Sequence, residues 1–236
     1  MFANYIFSIV IGILPALIWL VFFLRKDVHP EPPSKILEIF LLGMLVTIPT
    51  FILEERCWFI FSSIFAIGIF LELFYLFFAA FIEEILKFLV VRENVLKSSE
   101  LDEPTDVILY MIISALGFAA AENIFQILKI PELKLALILT IFRFWGAIFL
   151  HALVSGFIGY FLALSFYEKK NKKILPLAFL SAATLHWIFN FLIIQSGRVQ
   201  NSLFFGFLIW TILLSLAIFI SKGFQRLQKL KGVCKI

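Results

Sequence analysis

The chain has little of what holds soluble or secreted domains together. Only 15% of its 236 residues are charged and two are cysteine. Cys57 and Cys234 are too few and too far apart for a disulfide framework, so no disulfide is expected. There is no Walker or Rossmann glycine pattern, no internal repeat and no low-complexity linker. These absences argue against nucleotide-binding, repeat and tethered multidomain architectures. The first apolar run lacks a basic segment before it and a small-residue cleavage site after it, and Arg25-Lys26 follow directly; it reads as an uncleaved span rather than a signal peptide.

Apolar surface is what the chain has in excess. Hydrophobic residues make up 62%, with 31 Phe, more than a soluble domain of this length buries in one core. The expected fold is all-α, a polytopic transmembrane bundle forming a single integral membrane domain over 1–236. Spans of about 20 residues fall near 3–24, 36–53, 70–92, 106–128, 144–167, 174–196 and 203–221. Residues 58–69 are too short to cross alone and read as an interfacial or re-entrant piece. Seven crossings put fourteen Lys and Arg on one side and five on the other, whereas eight crossings split them twelve to seven. The positive-inside rule therefore favours seven, with the N-terminus outside and a basic tail, 222–236, in the cytoplasm. Basic loops facing anionic lipid account for the net charge of +4 without nucleic acid. The expected location is a membrane, by inference the cytoplasmic membrane of a prokaryote.

Against this background six residues stand out: Glu83, Glu84, Lys87, Glu122, His151 and His186 all lie inside predicted spans. A charge at the centre of a membrane helix costs roughly 2.5–3.5 kcal/mol, so three Glu and a Lys represent on the order of 10 kcal/mol. They are expected to face one another, water or a metal. Measured at 1.5 Å per residue, His151 lies about 10 Å, Glu122 about 9 Å and His186 about 15 Å from the outer ends of their spans, a common level in the outer half. Glu83 and Glu84 stand four and three residues before Lys87, a spacing that also suits a simple intrahelical ion pair, but one Glu would remain unpaired. Glu122 and Asn123 follow a small-residue face, Gly117 to Ala121, suited to close helix packing. His186 and Asn190 share a face one turn apart, either a metal or water ligand beside an oxyanion donor or an interhelical polar clamp. His29, in the proline-rich loop 27–33, is assigned no chemistry.

In order, Glu-Glu-x-x-Lys (83–87), Phe-x-x-x-Glu-Asn (118–123), His-x-x-x-x-Gly (151–156) and His-x-x-x-Asn (186–190), with Asp-x-x-x-Glu-Pro at 27–32, resemble the PrsW-type intramembrane proteases. That group is related to the CAAX-prenyl endopeptidase and bacteriocin-processing superfamily. The resemblance implies an endopeptidase cutting a single-pass membrane protein in or near the outer half of the bilayer. Some members are associated with the first, site-1 cut of membrane-anchored anti-sigma factors. By the same resemblance Glu83 and Glu84 are the catalytic pair, His151 and His186 further active-site residues and Asn190 the oxyanion donor. The CAAX-prenyl relatives carry His in place of Glu122 and Arg near Lys87, so prenylated substrates are not expected.

Two mechanisms fit these residues. In one, Glu122, His151 and His186 hold Zn²⁺ and a glutamate deprotonates its water; in the other, without metal or other cofactor, a glutamate activates water directly while the histidines orient it or protonate the leaving amine. Buried carboxylates and histidines on several spans also describe a proton- or ion-coupled transporter, and the small-residue faces a non-catalytic membrane scaffold. The absence of repeated halves argues against a transporter.

Overall fold

The computed structural model describes residues 2–98, 101–168, 173–198 and 202–230. Among them are nine helices: α1 (Phe2–Leu24), α2 (Pro33–Leu45), α3 (Thr47–Ile64), α4 (Ile69–Asn94), α5 (Pro104–Leu128), α6 (Leu133–Trp145), α7 (Ala147–Tyr167), α8 (Ile174–Arg198) and α9 (Ser202–Leu227). Two pairs are nearly continuous, so the nine helices form seven rods. Six stretches are long and apolar enough to cross a membrane, α2–α3 and α6–α7 each counting as one. The seventh rod, α4, has 26 residues but carries Glu72, Glu83, Glu84, Lys87 and Arg92.

The breaks have local causes. Pro49 lacks an N–H and its ring crowds the carbonyl of Leu45, so the helix bends at Val46. Thr47 and Thr50 hydroxyls donate to the Met44 and Val46 carbonyls at 2.6 and 2.7 Å, supplying partners near the break. Residues 58–64, expected as a separate re-entrant piece, instead prolong α3. Because the bend does not end the rod, Pro33–Ile64 spans 32 residues and ends well beyond the expected limit at 53. Gly146 interrupts the second pair, and Leu133–Tyr167 likewise begins before the expected start at 144.

At the centre stands α5, almost wholly buried, packed mainly against α7, α2 and α1. Small residues permit the approach: a Cβ on Gly117 would lie 2.0 Å from the Phe40 carbonyl oxygen of α2, and one on Gly43 would lie 2.2 Å from that of Ser114. Chain ends alternate between two faces of the bundle, as seven crossings require. On one face Gln228 Nε2 donates to the Lys26 carbonyl at 2.8 Å and Arg226 meets Glu168 at 3.0 Å; on the other Arg198 pairs with Glu72 at 2.6 Å. Of the basic tail, 222–227 are the last turns of α9, while 231–236 and the loop lysines 169, 170 and 172 lie outside the described residues. Cys57 is a free thiol, and Cys234 also lies outside them.

Candidate active site

Four helices bring the expected residues to one point inside the bundle. Glu83, Glu84 and Lys87 occupy one face of α4 because three- and four-residue spacings stack along a helix. Lys87 is fully buried, and its ammonium reaches Glu83 Oε2 at 3.1 Å, Glu84 Oε1 at 2.8 Å and His151 Nδ1 at 2.8 Å. The Phe118 ring, 4.3 Å away, closes the remaining side. The ion pair is therefore not merely intrahelical: both glutamates and a histidine 64 residues away share one cation.

Hydrogen-bond chemistry then fixes the histidine tautomers. An ammonium only donates, so His151 Nδ1 accepts from Lys87 and its Nε2–H donates to Glu122 Oε2 at 3.0 Å. Glu122 is held in turn by Arg143 Nη2 at 2.9 Å, and Arg143 Nε donates to Asn123 Oδ1 at 2.9 Å. Asn123 is buried and its amide donates to the Gly12 carbonyl of α1, so it ties α1, α5 and α6 together away from the cluster's centre. His186 Nδ1 lies 3.1 Å from Glu84 Oε1; an ionised carboxylate only accepts, so the proton is on Nδ1. That leaves His186 Nε2 without a proton, 3.9 Å from Glu83 Oε2.

The adjacent glutamates are not equivalent. Glu84 is sealed from solvent with both oxygens engaged, Oε1 by Lys87 and His186, Oε2 by the Ser155 hydroxyl at 2.6 Å. Glu83 has a side chain 11% exposed, and among the described residues only its Oε2 is hydrogen-bonded. Asn190 sits one turn after His186, half-buried, and no hydrogen bond joins it to the cluster among the described residues.

A family model described as "PrsW family intramembrane metalloprotease" matches residues 31–220. The chain belongs to this family. Among curated proteins, a protease PrsW of Oceanobacillus iheyensis is 33% identical over 186 residues, covering 77% of this chain and 80% of the relative. Those of Geobacillus kaustophilus and Clostridioides difficile are 32% and 28% identical, over 79% and 80% of this chain and 80% and 79% of their own lengths. No solved structure matches. PrsW membership makes the chain a protease and an integral membrane protein, in keeping with its apolar rods.

The donor set suits a metal ion, in keeping with the word metalloprotease in the family description. Donor atoms of Glu83, Glu84, His151 and His186 lie within 4.8 Å of one another. Each imidazole has one N–H held by a carboxylate, the arrangement that orients histidine toward a metal. Lys87 hydrogen-bonds three of these donors and would yield His151 Nδ1 if that atom turned to a metal. Glu122, expected as a ligand with the two histidines, is outside this group; Arg143 and His151 Nε2 both hold its Oε2. Three further members escaped the sequence reading. Ser155 of α7 reaches Glu84, and Arg143 of α6 reaches Glu122. Glu54, which interacts electrostatically with Glu83, Glu122 and Lys87, fell just past the expected end of its span. Continuing the helical pattern through Pro49 to residue 64 would have found it. The cluster then has four carboxylates against two cations, two positive charges short of neutrality, which a divalent ion or two protons would supply.

Proposed function

We propose that the chain hydrolyses a peptide bond of a single-pass membrane protein at the Glu83–His186 face of this cluster. The observation that carries the reading is the asymmetry of the glutamate pair: Glu83 is partly open with one oxygen free of hydrogen bonds, while Glu84 is sealed and fully engaged. Glu83 takes the proton of the attacking water, and Lys87 holds its Oε2 in place. Glu84 holds His186 by its Nδ1–H, leaving Nε2 to pass that proton to the leaving amine or to ligate a metal. Glu122 does the same for His151 through Nε2. Asn190, one turn from His186, donates its amide to the oxyanion.

His151, His186 and Glu84 would hold Zn²⁺, whose nitrogen and oxygen preferences they match, leaving the open Glu83 as the base. When bound, the ion polarises the scissile carbonyl and acidifies water. The basic-residue distribution supports a cytoplasmic C-terminus and a site in the outer half of the cytoplasmic membrane. The family resemblance suggests a membrane-anchored anti-sigma factor, cut first on its extracytoplasmic side, as the substrate class.

Two measurements test this reading. New N-termini across the membrane proteome are compared in cells expressing the native chain or Glu83→Gln at equal abundance; sites present only with the native chain are expected, and none under envelope stress would sink the protease assignment of this site. Metal analysis of purified protein is expected to find near one Zn per chain, lost in His186→Ala. A fully active metal-free preparation would instead leave the glutamate acting directly on water.

A further inference from the structure

Among the described residues the backbones of α1 and α9 stay apart along their lengths. Between them, near the face where both end, is a cavity of about 440 Å³. Its floor is Phe149 and Leu153 of α7, and its walls include Phe22, Ile220 and Phe224. At the rim, Arg25, Lys26, Gln225 and Gln228 replace the apolar side chains. Among the described residues neither Arg25 nor Lys26 forms an ion pair, in contrast to nearby Arg226, which is held by Glu168 and Tyr160. Lys26 instead lies 5.1 Å over the Phe22 ring, and its carbonyl takes the Gln228 amide. The one acid on the wall, Asp27, accepts the His29 N–H and groups with Glu103 and Asp106. Burial raises the Asp27 carboxyl above its ordinary pKa.

We propose that this crevice binds an anionic phospholipid, its phosphate between Arg25 and Lys26 and an acyl chain along the floor formed by α7. The order of chemistry, cations and amides at the end of the bundle and phenyl rings deeper between the rods, is that of an amphiphile standing in a bilayer. Basic pockets between membrane helices recognise such headgroups. A substrate helix, about 10 Å across with its side chains, would need α1 and α9 to part. The site also bears on the reaction centre. Phe149 and Leu153 are four residues apart on one face of α7, and His151 points from the other side of the same turn. Phe149 is stacked on Trp19 of α1 at 4.1 Å. A bound acyl chain therefore supports α7 from behind His151.

The test uses the full chain in uncharged detergent, with phosphatidylglycerol or phosphatidylcholine of identical acyl chains. Native mass spectrometry and the unfolding midpoint are read together. Phosphatidylglycerol is expected to stay bound at one per chain and to raise the midpoint, and phosphatidylcholine to do neither. The double variant Arg25→Gln, Lys26→Gln is expected to weaken phosphatidylglycerol binding roughly 30-fold, the factor that two near-surface cations give. Ala217→Trp, which fills the crevice, is expected to abolish retention while leaving the lipid-free midpoint in place; should it fail to fold, the charge variant alone decides. Equal retention of both lipids by the native chain, native-like retention by the charge variant, or a photo-crosslinker at Phe224 that captures protein rather than lipid, overturns the proposal.

Discussion

The two carboxylate clusters of this molecule look alike in composition and differ in what satisfies them. Near one face Asp27, Glu103 and Asp106 bring oxygen atoms within 4.8 Å of one another, as close as the donors of the Glu83–His186 cluster. There the partners are mostly local. Asp106 Oδ2 accepts the backbone N–H groups of Asp102 and Glu103, closing a capping box at the start of α5 with Glu103, and Glu31 accepts the Tyr110 hydroxyl at 2.6 Å. His29 meets Glu103 at the exposed edge. In the inner cluster the partners are cations and imidazoles, Lys87 from α4 itself and Arg143, His151 and His186 from other helices, and among the described residues Glu83 Oε1 and His186 Nε2 make no hydrogen bond. Close acids and a carboxylate oxygen without a hydrogen bond are common to both, Asp27 Oδ2 there and Glu83 Oε1 here; among the described residues a buried lysine and two buried histidines beside the acids are found at the second, and that difference separates reactive groups from groups that anchor a helix.

The sharpest way to break the comparison is to neutralise one acid in each. Glu83→Gln is expected to lower cleavage of a membrane-anchored reporter by about 10²–10⁴, whereas Glu103→Gln leaves the rate unchanged; equal losses would erase the distinction. Lys87→Met leaves two buried carboxylates without their cation and is expected to destabilise the fold by about 3–5 kcal/mol in chemical unfolding. Tyr110→Phe, which removes one hydrogen bond to Glu31, should cost only about 1.5 kcal/mol. Asn190→Ala is expected to slow turnover by about 10² with the unfolding midpoint unchanged, since its amide is not spent on the fold. A normal rate in this variant would remove it from the site.

The smallest effect concerns pH. Burial pushes the carboxyls of Glu31 and Asp27 above the usual range, so the folded chain holds protons there that the unfolded chain has released. This cost to stability is absent below the ordinary carboxylate pKa and grows as pH rises from there to the folded value. Glu31→Gln should therefore flatten the fall of the unfolding midpoint over that window. A profile identical to the native one would mean that the loop acids do not hold these protons.

Much of the architecture was legible along the chain. Hydropathy is a local property, so Leu- and Phe-rich runs announced the rods, and charges too costly to leave in lipid announced that Glu83, Glu84, Lys87, Glu122, His151 and His186 would meet. The errors came where a local signal was overridden. Pro49 bends its rod without ending it, so Glu54 lies within a helix rather than in a connection. Residue type also does not say that Arg143, from a different rod, holds Glu122.

The sequence by itself determined which groups must be buried together, because solvation in a bilayer depends on residue type and span length. It could not distinguish Glu83 from Glu84, adjacent and identical, nor choose a tautomer for either histidine. Those were decided where α5 packs against α2 through Gly43 and Gly117 and α7 and α8 fold over α4. The crossings set which oxygen is sealed by Ser155 and which is left open, and that depends on distances between residues tens of positions apart.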